Sequence, residues 1–125
     1  MSETSDLIQA LIDAVAAEDD AQAERVAQAF ATQPFVLPAL RPLLGDPHTD
    51  RRWWAVRSLA LIGGDEAERL LIERLTDEDE ATRCAAALGL GQLRAEAAIP
   101  HLLAALRDAS GWMRDSAADA LAMIG

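Results

Sequence analysis

The chain has 125 residues, 51 % of them hydrophobic and only 4 % aromatic, and carries a net charge of −10. That acidity argues against a broad phosphate-binding surface, which needs an excess of Lys and Arg, and no apolar run reaches the roughly 20 residues that span a bilayer. The single cysteine, Cys84, excludes an internal disulfide and fits a reducing cytoplasm, the expected location; the segment from Met1 to Leu11 carries acids where a secretory leader carries bases.

Helical periodicity runs through nearly the whole chain, punctuated by Gly, Pro and Asp. Leu7, Leu11, Ala14 and Val15 share one face of a first helix, opened by Thr4 or Ser5 and closed near Glu18-Asp19-Asp20. A second helix is expected over about 21–32, with Val26, Ala29 and Phe30 inward. Pro34, whose fixed φ suits a first helical position, opens a third that runs to Leu44. Pro38 and Pro42 predict that this third helix is bent, irregular or split. The fourth follows Asp46-Pro47-His48-Thr49 and stops at Gly63-Gly64. Asp65 opens a fifth, with Glu68 completing a capping box and Leu71, Ile72 and Leu75 inward. Further helices are predicted over 80–93, 95–107 and 111–124.

From Asp46 onward the chain repeats at a spacing of 31 residues. Asp46, Asp77 and Asp108 are followed at one offset by Arg52, Arg83 and Arg114, and at another by Leu59, Leu90 and Leu121. Leu37-Pro38-Ala39-Leu40 and Ile99-Pro100-His101-Leu102 repeat the other half of the unit. A fixed period of this size marks a solenoid built from one supersecondary unit. The expected fold is all-α, an α-α superhelix of about eight helices in antiparallel pairs, forming one domain over 1–125. Residues 34–125 carry the regular repeats, and residues 1–33, which lack the Asp–Arg pair, are expected to be a degenerate N-terminal capping repeat.

The unit from Asp77 through Arg83, Ala85, Ala86, Gly89, Leu90 and Gly91 to Leu93, with its copy over 108–125, resembles a HEAT repeat. The likeness is to the short variety also found in phycobilin lyases, and it covers 37–125. It implies a right-handed superhelix of helix pairs. The helices after each Asp (49–62, 80–93 and 111–124), taken as first helices, would line the convex side, and 34–44, 65–75 and 95–107 the concave side. Small residues at Ala55, Ala85, Ala86 and Ala117 would let helices approach closely. The chain stops after the first helix of its last repeat, with no second helix to cover it; either that face meets a partner, self-association included, or the chain is a fragment of something longer.

Recurrence marks the Asp46/Arg52, Asp77/Arg83 and Asp108/Arg114 pairs as a structural ladder. The Asp caps or braces a turn, and the Arg bonds to carboxylates or carbonyls of its own and adjacent repeats. The unrepeated residues are the candidates for function. Trp54 takes the offset of Ala85 and Ser116, where a large ring is hard to bury without rearrangement. Trp53 points about 100° away around the helix. Arg51, Arg52 and Arg57 with His48 are the one positive concentration in the chain, and Trp53, Arg51, Arg57, His48 and Trp112 form the candidate partner-binding set. The competing reading is that Trp53 and Trp54 fill a gap left by the degenerate first repeat.

No catalytic, cofactor or metal site is expected. Asp77 to Glu80 starts like a calcium loop, but Thr82 and Leu88 stand where that loop needs Gly and Glu; the acids suit a helix N-terminus instead. His48 and His101 lie on different elements. Cys84 sits among Ala residues, Gly89 and Gly91 precede no Lys-Ser/Thr, and no Ser stands in a nucleophile motif. The expected function is a non-enzymatic scaffold presenting a curved helical surface to a protein or peptide. The alternatives are a part in phycobilin lyase-like chromophore attachment, implied by the resemblance, and HEAT-type nucleic-acid binding, which the charge disfavours.

Overall fold

The computed structural model describes residues 2–125; Met1, at the head of the segment read for a leader, lies outside them. The helices in chain order are α1 (Glu3–Ala16), α2 (Asp20–Phe30), α3 (Val36–Leu44), α4 (Thr49–Ile62), α5 (Asp65–Arg74), α6 (Glu80–Gln92), α7 (Ile99–Ala105) and α8 (Gly111–Ile124). A 3-10 turn, Glu96–Ala98, leads into α7. Among the described residues there is no strand, and no helix is long and apolar enough to cross a membrane.

Local chemistry sets the helix ends. Ser2, rather than Thr4 or Ser5, caps α1, its Oγ accepting from the Ser5 N–H. Helices α1 and α6 end in the same device, with Glu18 and Arg94 in the left-handed region at φ 56° and 53°. Glu18 N–H donates to the Val15 carbonyl and Asp19 N–H to Ala14, while Arg94 N–H donates to Gly91 and Ala95 N–H to Leu90. This pair of bonds satisfies carbonyls that a helix C-terminus otherwise leaves open. At the matching place after α4 stand Gly63 and Gly64, at φ 69° and 90°, so a two-residue link turns the chain with no Cβ to strain. Gly64, not Asp65, is therefore the N-cap of α5, and the expected capping box does not form.

Pro34 does not open α3. Phe35 precedes the helix at φ 57°, 90 % exposed, and the helix starts at Val36. The helix is continuous rather than split. Pro38 falls in its first turn, where N–H groups have no intrahelical partner anyway, and only Pro42 removes an interior bond.

Helices α2, α4, α6 and α8 pack side by side in one layer, α4 on α6 and α6 on α8 along their lengths, with α1, α3, α5 and α7 laid against them. In that second layer α3, α5 and α7 touch the first but scarcely meet one another. A two-layer stack curves toward the layer whose members stand closer, so the Asp–Arg helices line the concave side. This reverses the expected assignment of the two sides. Small residues are the cause: a Cβ on Gly89 would lie 2.9 Å from Ala60 Cβ of α4, and one on Gly91 2.9 Å from Ala120 Cα of α8. Bare backbone thus lets α6 close on both neighbours. The pairs are α1–α2, α3–α4, α5–α6 and α7–α8, and α8 packs on both α6 and α7. On its other sides α8 packs on no further helix among the described residues.

The core lies between the layers. Leu40, Leu59, Leu71, Leu90, Leu102 and Met113 are fully buried, as is Phe30, each contributing on the order of 1.5–3 kcal/mol by burial.

Candidate interaction surface on the inner helices

The aspartates at the turns into α4, α6 and α8 are held alike. Asp46 Oδ1 accepts from His48 N–H at 2.8 Å, Asp77 Oδ1 from Asp79 N–H at 2.9 Å, and Asp108 Oδ1 from Ser110 N–H at 2.9 Å. Each following Arg donates Nη1 to the carbonyl of its own Asp: Arg52 at 2.9 Å, Arg83 at 3.0 Å and Arg114 at 2.8 Å. Arg52 then donates Nε and Nη2 to both carboxylate oxygens of Asp77, at 3.1 and 3.2 Å, and this bond holds its guanidinium firmly charged. Arg83 reaches Asp108 with a single hydrogen bond, Nη2 to Oδ1 at 3.3 Å, while its Nε lies 3.1 Å from Oδ2 as an ion-pair contact without hydrogen-bond geometry. Repeat is hooked to repeat by charge-assisted bonds.

The positive concentration is likewise neutralised. Arg57 Nε and Nη2 donate to Glu24 Oε1 and Oε2 at 3.0 and 2.8 Å, joining α4 to α2. That bond pulls the Glu24 carboxyl below its ordinary range and raises Arg57. Arg51 Nη1 lies 3.3 Å from Asp46 Oδ2, and His48 Nδ1 lies 2.9 Å from Asp46 Oδ1. The His48 N–H bond, with the His48 ring and Arg51 behind it, lowers Asp46. Arg51, Arg52, Arg57 and His48 each face a carboxylate, so the expected basic patch is absent as a free charge. The sequence signal was weak, because Glu24 sits 33 residues before Arg57 in a segment without the repeat pattern.

The tryptophans divide between packing and surface. Trp54 is 8 % exposed and joins the core, meeting Trp53 edge-on with centroids 4.9 Å apart and planes at 77°. Trp53 is half-buried, and Trp112, at the start of α8, is 55 % exposed. Trp53, Arg57 and Trp112 line one groove of about 390 Å³ along α6, together with Ala81, Ala85 and Leu88. Arg51 and His48 lie outside it. The groove exists because Ala81 and Ala85 stand where the preceding repeat has Asp50 and Trp54. Cys84 borders it as a buried thiol, its pKa raised by desolvation, which keeps it protonated and unreactive.

On the other side of Trp53 a second hollow is lined by Asp20, Ala21, Glu24, Asp50 and Trp54. Asp20 and Asp50 have no ion-pair partner among the described residues, nor does Asp119 at the edge of the first groove. No group of three or more His, Cys, Asp or Glu among the described residues is arranged to hold a metal.

A family model of HEAT repeats matches residues 37–122, from α3 through most of α8. The chain is a HEAT-repeat protein. No curated protein matches it. Among solved structures, the crystal structure of an engineered protein shares the fold, with 22 % identity and a TM-score of 0.58, over 99 % of this chain and 63 % of that one. The chain thus spans somewhat under two thirds of that engineered protein's length. In this HEAT-repeat protein the groove crosses the inner helices of successive repeats, so it is a property of the stack and of no single unit.

Proposed function

We propose that this HEAT-repeat protein is a non-enzymatic cytoplasmic binding module that presents its inner face to a protein or peptide partner. The groove between Trp53 and Trp112 carries the reading. Two of the three tryptophans stand on one apolar trench, with the exposed Leu88 between them. Large aromatic anchors beside a small-residue floor are the arrangement in which a few contacts supply most of a binding energy. The surrounding ionic groups brace the repeats, and desolvation raises the pKa of the one thiol bordering the groove. The unpaired acids along the same face repel phosphate, which disfavours nucleic acid.

The test is a pull-down from the source cell with wild-type protein and the Trp112→Ala and Leu88→Glu variants, whose circular dichroism should match wild type because both residues are exposed. Partners retained by wild type and lost by both variants support the proposal. Equal recovery of the same partners by all three proteins overturns it. A parallel arm mixes the protein with a bilin. A new visible absorption band would favour the chromophore-attachment reading that the lyase resemblance implies.

A further inference from the structure

We infer that the occupant of this face is a polypeptide segment that sets an aromatic or aliphatic side chain directly beside Arg or Lys. The inference rests on the docking proposal above and adds the chemistry of the partner. Trp53 is the shared wall of the two hollows: the apolar groove toward Trp112 on one side, and the acidic notch of Asp20, Glu24 and Asp50 on the other. A segment that fills the groove with one side chain and continues over Trp53 lays its neighbour into the notch.

The charges there have one sign. Glu24 is satisfied by Arg57, and Arg57 is thereby removed as an attraction for anions. What remains uncompensated around the two hollows is Asp20, Asp50 and Asp119, all acidic. A guanidinium or ammonium over the notch meets two free carboxylates and an indole, and a cation beside a Trp face gains from the ring quadrupole as well as from the acids. An acidic neighbour would meet like charge on every side. A second copy of this chain is disfavoured for the same reason, since its net charge is −10.

The experiment selects random short peptides on the full chain and counter-selects them on the Trp112→Ala variant. The expected result is enrichment of peptides with Arg or Lys adjacent to a large apolar residue. The best of them should lose about two- to fivefold in affinity on Asp50→Asn and weaken further as salt is raised, while Trp112→Ala should cost tenfold or more. Enriched peptides that carry no excess of basic residues, or that bind the Asp50→Asn and Asp20→Asn variants as tightly as wild type, overturn the assignment of the partner and leave the docking surface standing. If no peptide survives counter-selection, the docking proposal fails and this inference fails with it.

Discussion

Arg52 of α4 grips Asp77, at the turn into α6, through two hydrogen bonds of 3.1 and 3.2 Å, with side chains only 14 % and 4 % exposed. A looser version recurs from Arg83 to Asp108, with one hydrogen bond of 3.3 Å, and the series then ends, because Arg114 bonds only to the Asp108 and Ala109 carbonyls. Removing one member of a nearly buried pair leaves the other charge without its partner. Arg52→Ala should therefore destabilise by about 2–3 kcal/mol. Arg114→Ala, which breaks no pair, should cost less than about 1 kcal/mol. Urea unfolding of both variants makes the comparison, and equal losses would contradict it.

Helix α6 owes its close approach to glycine on both flanks. Gly91→Ala places a Cβ against the backbone of α8, 2.9 Å from Ala120 Cα, where no side-chain rotation relieves it. The expected loss is about 1–3 kcal/mol by overpacking. Gly45→Ala is the control, since nothing lies within 4 Å of its would-be Cβ and its φ is −105°. It should be neutral to within about 0.5 kcal/mol by thermal unfolding.

Arg94 holds a left-handed φ of 53° at the place where the preceding repeat has Gly63. An L-residue there carries a steric cost that glycine avoids. Arg94→Gly should raise stability by about 1 kcal/mol, visible as a higher Tm in calorimetry. No change or a lower Tm would show that the exposed Arg94 side chain contributes something its surroundings do not reveal.

The Glu24–Arg57 pair ties α2 to the regular repeats. Its bonds lower the Glu24 pKa from 4.5. A depressed carboxyl stabilises the folded state above its unfolded pKa, and that contribution fades as pH falls through the folded value. Glu24→Gln should cost about 0.5 kcal/mol at neutral pH, small because the pair is partly solvated. The difference from wild type should shrink below pH 4.5, as urea titrations across that range will report.

Much of the fold was legible because the punctuation is repeated. The spans of α4 and α8 follow from Asp, Arg and Gly at recurring offsets, which cap, brace and stop helices by local chemistry. The two sides of the superhelix were inverted, because a period of 31 residues has no natural starting point and either helix can be counted first. Gly89 and Gly91 held the missing clue, as the helix with bare flanks packs closest. Local competition displaced the α5 cap from Asp65 to Gly64 and the α3 start from Pro34 to Val36.

The candidate surface was half legible. Trp53 and Trp112 stood out as departures from the repeat, and the fold brings them to one groove. A sequence-level hint existed, since Trp112 takes the offset of Ala81, one turn before Ala85, the groove floor. Arg51 and Arg57 looked like free positive charge because their partners, Asp46 and Glu24, belong to elements whose packing no local pattern announces.

The chain holds three tryptophans and no tyrosine, and each of the three borders at least one of the two inner hollows. Its near-ultraviolet absorption and emission therefore originate on the inner face, while the outer helices are optically dark. Trp54, enclosed, should emit to the blue and follow unfolding; Trp112, open to water, should emit to the red and shift when anything covers it. The molecule carries a label-free probe at the surface where occupancy is expected, with a buried reference ring nearby to distinguish a bound partner from a loosened fold.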